Sequence, residues 1–158
     1  MVDRGSLWKG ISVRGRDTSD DSTDRWSRYD WWGVVLETPD APALAHFYAD
    51  LLGWDIAKES PQDAAIGPSD GVAYLAFQTS PGFVRPVWPM AEGAQQMMMH
   101  LDFQVSDLEV AVAHALELGA MQAEHQPQSD VRVLLDPDGH PFCLYLDEED
   151  QSQASSGP

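Results

Sequence analysis

Val34-Val35-Leu36-Glu37-Thr38-Pro39-Asp40 and Leu101-Asp102-Phe103-Gln104-Val105-Ser106-Asp107 are the two stretches that decide the fold. Each is an apolar-rich, strand-like run that ends in an aspartate able to open a helix. Beyond each aspartate, apolar residues recur at helical spacing: Leu44, Phe47, Tyr48 and Leu51 over 41–52, then Leu108, Ala111, Val112 and Ala115 over 107–118. Both helices stop at a glycine, Gly53 and Gly119, where a left-handed residue is expected. The aspartates lie 67 residues apart and the glycines 66. A matching offset at both ends of the helix marks an internal repeat. Ser106-Asp107-Leu108-Glu109 reads as a capping box, with Ser106 as the N-cap and Glu109 at the third helical position.

Working outward, strand-like sequence follows each glycine. The first half predicts strands at 54–59 and 72–79, with a third between them that the pattern leaves undefined. The second half predicts strands at 121–126, 131–135 and 141–146. Asp136-Pro137-Asp138-Gly139 is a strong turn signal before the last of these, and Ser69-Asp70-Gly71 is its weaker counterpart. The reading is an α+β chain of two βαβββ modules, at 29–80 and 98–147, joined by a Pro- and Gly-rich linker at 81–97. Residues 1–28, with Trp8 and Trp26 as their only large aromatics, and residues 148–158 read as polar tails.

Charge and cysteine content narrow the function classes. The chain of 158 residues carries 9 Lys and Arg against 26 Asp and Glu, a formal net charge of −17. Six of the basic residues lie in the first 28, which leaves Lys58, Arg85 and Arg132 against 21 acids from Asp30 onward. Such a body repels phosphate backbones and anionic membranes, so neither nucleic acid nor a membrane is an expected partner. The single cysteine, Cys143, allows no intramolecular disulfide, which fits a reducing cytoplasm. No apolar stretch is long enough to span a bilayer, and no continuous apolar h-region predicts a secretory signal.

Three motifs carry a family resemblance. A strand, an aspartate, a helix with Phe47-Tyr48, and Leu52-Gly53-Trp54 resemble the opening of a vicinal oxygen chelate module, the unit of the glyoxalase and bleomycin-resistance superfamily. His100 through Leu108 is similar to the opening of a second module. Leu135-Asp136-Pro137-Asp138-Gly139-His140-Pro141-Phe142-Cys143-Leu144 resembles its closing hairpin. The likeness covers about residues 30–147 and is strongest to glyoxalase-like domain proteins. It implies paired curved sheets around one cleft, commonly in a homodimer, with metal ligands on the first and last strands of each module.

Period-two alternation says which side chains would line that cleft. Leu101, Phe103 and Val105 should pack inward, leaving His100, Asp102 and Gln104 on the cleft face. By the same parity Cys143 and Tyr145, Gly33, Val35 and Glu37, and Tyr74, Ala76 and Gln78 face the cleft. His100 occupies the family's first-strand ligand place in module two, and Cys143 its last-strand place. The corresponding places in module one hold Gly33 and Ala76 or Gln78. Only His100 and Cys143 remain as strong donors, so no cofactor is predicted. A divalent metal would need help from Asp102, Glu37 or a partner chain.

His100 is the candidate general base or ligand contact. Asp102, Gln104, Glu37, Tyr74, Gln78, Cys143 and Tyr145 are candidate ligand-binding residues, and Arg85 and Trp88 of the linker are candidate caps on the cleft. Each has a structural alternative. His100 and Asp102 could be polar residues of a wet cleft, Cys143 a small buried hydrophobe, and Arg85 a surface residue. His46 and His114 read as solvent-exposed, and Met97-Met98-Met99 as core or dimer interface. The leading functional reading is a small-molecule-binding protein without the family's full metal site. The alternatives are a metal-dependent lyase, isomerase or dioxygenase, and a structural or regulatory dimerisation module.

Overall fold

The computed structural model of the chain describes residues 32–69, 71 and 73–146; the tail assignments at 1–28 and 148–158 lie outside them. Ten elements follow in the order β1 (Trp32–Thr38), α1 (Ala41–Leu52), β2 (Asp55–Glu59), β3 (Asp63–Gly67), β4 (Ala73–Thr79), β5 (Leu101–Gln104), α2 (Leu108–Glu117), β6 (Met121–Gln122), β7 (Val131–Leu135) and β8 (Pro141–Tyr145). They form two four-stranded mixed sheets of identical topology, β1-β4-β3-β2 and β5-β8-β7-β6. In each the first strand runs parallel to the last, and the other pairs are antiparallel. The fold is α+β, two βαβββ modules.

The repeat extends into the strand register. Val34 pairs with Leu75 in the first sheet and Leu101 with Phe142 in the second, each partner displaced by the same 67 residues. The helix N-caps obey the offset too. Asp40 accepts from the Ala43 amide and Asp107 from the Val110 amide, both from extended backbone. The second cap is therefore Asp107 and not Ser106. An aspartate already in the β region, with its carboxylate over the first free N–H groups, satisfies them without a capping box.

Two strand expectations change. The undefined third strand of module one is β3, whose Ala64 and Ile66 are buried while Ala65 is half-buried. Its Asp-Ala-Ala-Ile-Gly sequence carries little β-branched signal. The strand expected at 121–126 is only Met121–Gln122. Beyond it the Gln126 side chain takes over the sheet's bonds, donating to the Ala123 and Val133 carbonyls and accepting from the Val133 amide.

One core joins the modules. Tyr48 of α1 is fully buried, stacked on Phe77 of its own sheet at 5.7 Å. The same ring meets Phe103 and Phe142 of the other sheet at 6.4 and 6.1 Å, and Phe47 meets Phe142 at 6.2 Å. Aromatic edges and faces at these separations add to the stabilisation from burial alone. Helix α1 thus packs on both sheets and orients one against the other.

Candidate functional site

The parity read from sequence places the side chains correctly on both inner strand pairs. Leu101 and Phe103 pack on the core, and Phe142 and Leu144 lie within it. That leaves His100 and Asp102 exposed and Cys143 half-buried on the opposite face. Asp102 and Cys143 are direct partners across β5 and β8. His100 Nε2 stands 3.2 Å from Asp102 Oδ1. The donor atoms of His100, Asp102 and Cys143 all lie within 4.8 Å of one another, the one such group among the described residues. Burial, followed by the charge and hydrogen bond of Asp102, pushes the Cys143 thiol up to about 11. Cys143 is therefore protonated at neutral pH and is not an activated nucleophile.

Three hollows surround this group, and His100 contributes to the wall of each. The first, about 360 Å³, lies between β1 and the start of β5 under the linker. Val35, Phe83, Val84 and Met98 give it apolar walls, and Glu37, Gln95, Gln96, His100 and His140 its polar ones. The second, about 180 Å³, is bounded by Trp88, Met97, Val133 and Cys143. The Trp88 indole Nε1 beside it is buried without a hydrogen-bond partner among the described residues. Tyr145 borders the third hollow with Asp102 and Cys143. Gln104 pairs with Tyr145 farther along β5.

Module one is built differently at the matching places. Tyr74 pairs with Gly33 and Gln78 with Glu37, but neither Tyr74 nor Gln78 borders any of these three hollows. A Cβ added at Gly33 would lie 2.5 Å from the Tyr74 ring, so that ring occupies the space a ligand-bearing side chain would need. Arg85 of the linker is held against the β7–β8 turn. Its Nη1 donates to the Pro137 carbonyl at 2.7 Å, and its chain crosses Gly139, where any Cβ would strike it at 2.7 Å. Met98 and Met99, expected in core or interface, are 82% and 62% exposed and border the first hollow. His46 is exposed against Glu59, and His114 is exposed near the Asp50 carbonyl.

The structure adds most around His140, at the end of the β7–β8 turn. Asp136 is fully buried. Its Oδ1 accepts from the Asp138 and His140 amides, both at 2.9 Å. Its Oδ2 accepts from His140 Nδ1 at 2.8 Å and from the Tyr48 hydroxyl at 3.0 Å. Asp138 accepts from Thr38 Oγ1 at 2.6 Å. Burial and the Asp136 charge hold the Tyr48 phenol well above its usual range. Burial alone would lower the His140 imidazole. The bond and charge of Asp136, with a hydrogen bond to the Glu37 backbone, outweigh it and raise the value. Asp136-Pro137-Asp138-Gly139-His140 was legible as a turn; its contacts to Tyr48 and Thr38, 88 and 100 residues away, were not.

A family model, the glyoxalase-like domain, matches residues 33–145. The chain belongs to the glyoxalase-like domain family. Solved structures show the same fold. A glyoxalase/bleomycin resistance protein/dioxygenase family enzyme from Burkholderia phytofirmans PsJN superposes with a TM-score of 0.53 at 18% identity, over 72% of this chain and 95% of that one. A possible glyoxalase from Bacillus cereus gives 0.54 at 14%, over 73% and 96%. The fosfomycin resistance protein FosX from Mesorhizobium loti gives 0.55 at 11%, over 77% and 95%. No curated protein matches the chain. The vicinal oxygen chelate superfamily, to which this glyoxalase-like domain belongs, implies a divalent metal held by both modules. The residues present do not fit that four-ligand site: Gly33 is closed off by Tyr74, and Ala76 has no donor atom.

Proposed function

We propose that this glyoxalase-like protein binds a small, mainly apolar molecule, neutral or cationic, in the cleft between the sheets, without the family's four-ligand metal site. The observation that carries the reading is the first hollow. At about 360 Å³, with apolar walls and a few polar residues in its lining, it has the size and character of a ligand pocket. The charge preference follows from the field around it: Glu37 lines it, in a body with 21 acids to three bases. Three probes of one ring system test this by isothermal titration: naphthylmethylamine, naphthylmethanol and naphthoate. The amine and the alcohol should bind and naphthoate should bind least, the amine's advantage shrinking with added salt. Narrowing the cavity with Val84→Trp should weaken all three. Binding of none of them, or tightest binding of naphthoate, would sink the reading.

A second reading rests on the His100, Asp102 and Cys143 donors. Histidine nitrogen, carboxylate and thiol within 4.8 Å suit a borderline-soft ion such as zinc better than magnesium or calcium. It would make the protein a metal-dependent member of the superfamily with a site confined to module two. Cobalt(II) titration discriminates: a thiolate charge-transfer band lost in Cys143→Ser would favour it, and no uptake would remove it. We further propose that the protein works as a cytoplasmic homodimer. Light scattering should return twice the chain mass.

A further inference from the structure

We propose that residues 4–16 of this chain dock on the apolar rim of the first hollow and cover the cleft until a ligand displaces them. Val35, Val84, Met98 and Met99 are each more than half exposed, and all four border that hollow. Val87 and Met90 of the linker are exposed as well. Exposed apolar side chains clustered in this way mark a contact surface. A small molecule does not account for them. One that fills about 360 Å³ lies within the hollow, whereas Met98, 82% exposed, stands largely outside it. A stretch of polypeptide laid across the rim covers both. Methionine suits such a contact, because its unbranched, polarizable side chain repacks around irregular partners.

The charge of the face selects the occupant. Glu37 borders the hollow in a body with 21 acids to three bases, so a basic segment is drawn to it and an acidic one repelled. A second copy of the body would set acid against acid. Residues 4–16 have the complementary make-up. Arg4, Lys9, Arg14 and Arg16 stand among Leu7, Trp8, Ile11 and Val13, with no acid in the run. The tether is long enough. Residues 17–31 join the run to β1. Fully extended they span up to about 50 Å, against a radius of gyration of about 13 Å for a body of this size. Such a tether gives the run an effective concentration of about a millimolar at the rim, so even a weak contact covers the cleft for a large share of the time. Apparent ligand affinity then falls in proportion to the uncovered fraction. That regulation rests on the proposed cleft reading; the docking itself does not.

Two measurements on the full chain test it. Methyl NMR of protein labelled at methionine compares the wild type with Trp8→Ala. The Met98 and Met99 methyls should move when the indole is removed. Met121 of β6, which borders none of the three hollows, should not. Unmoved Met98 and Met99 would overturn the docking. Mixing labelled Trp8→Ala with unlabelled wild type asks whose run is bound. Return of the wild-type shifts would assign the rim to a second copy's run and overturn the proposal as stated. The other measurement is the affinity of naphthylmethanol, an uncharged probe that does not itself respond to the charge of the run. Arg4→Gln, Lys9→Gln, Arg14→Gln and Arg16→Gln together should tighten it by about twofold or more, the change expected when the rim is covered half the time. Unchanged affinity would overturn the covering of the cleft. If the probe binds neither protein while the Met98 and Met99 methyls move, the cleft reading fails and the docking stands.

Discussion

The two modules share the register of their first and last strands to the residue and share almost none of their chemistry. Adding 67 to Gly33, Val35 and Ala76 gives His100, Asp102 and Cys143, and adding it to Tyr74 gives Pro141. In the first sheet these places are filled by a glycine under a tyrosine ring and two small apolar side chains. In the second they hold three donor atoms within 4.8 Å. The strand pairing that builds both sheets depends on backbone bonds and on the inward-facing residues, which the two copies conserve in kind. The cleft-facing residues are unconstrained by that pairing, so one copy specialised in packing and the other in polar contacts. The turns diverge as well: Asp136 is buried and accepts four hydrogen bonds, while Ser69, its counterpart, is exposed.

The largest test of that asymmetry is at the turns. Asp136→Ala strips the acceptor from two backbone amides, the Tyr48 hydroxyl and His140, all at a buried site. Leaving such groups unpaired should cost about 3–5 kcal/mol in urea denaturation. Ser69→Ala should change stability by under about 0.5 kcal/mol, the usual range for an exposed side chain. Equal losses at the two positions would mean that the turns are equivalent after all.

A smaller effect is expected at the paired first-strand places. Gly33→Ala drives a methyl group against the Tyr74 ring, and overpacking of this kind costs about 1–3 kcal/mol. Most of that should vanish when Tyr74 is cut back to alanine, because the clash is between those two residues, and a double-mutant cycle would read it as coupling. His100→Ala at the matching place removes a side chain 42% exposed and should alter stability by no more than about 0.5 kcal/mol. If Gly33→Ala proved as mild, Tyr74 could move aside and module one would have room for a ligand after all.

How much of this could be read in the sequence differs between backbone and site. The repeat, the helices with Asp40 and Asp107 before them, and the placement of His100, Asp102 and Cys143 on one face all follow from short-range periodicity. Local signals failed where they were weak or doubled. Asp63-Ala64-Ala65-Ile66-Gly67 has too little β-branched character to announce β3. Ser106 and Asp107 are both good caps, and backbone conformation decides between them. Long-range choices were out of reach. Nothing near Gly33 in the chain says that Tyr74 will lie over it. Arg85, read as a cap on the cleft or a surface residue, donates Nη1 to the Pro137 carbonyl, a contact across 52 residues.

The smallest expected effect probes the electrostatics inside the polar half. The Cys143 thiol stands at about 11, two units above its ordinary value of 9.0, with burial the first cause and Asp102 the second and third. At pH 8 only about one thiol in a thousand is ionised, so alkylation by iodoacetamide should be slow and should climb about tenfold per pH unit. Asp102→Asn removes the neighbouring negative charge but leaves the burial. Its thiol should therefore fall only part of the way back, giving alkylation at pH 8 that is faster by a factor of a few yet slower than for a free cysteine. Val35→Asp, the same charge placed at the matching site of module one, has Ala76 across the strand pair and should leave that rate unchanged. A full return to the ordinary value in Asp102→Asn would instead make the charge, and not the packing around Cys143, the feature that separates the polar module from its apolar twin.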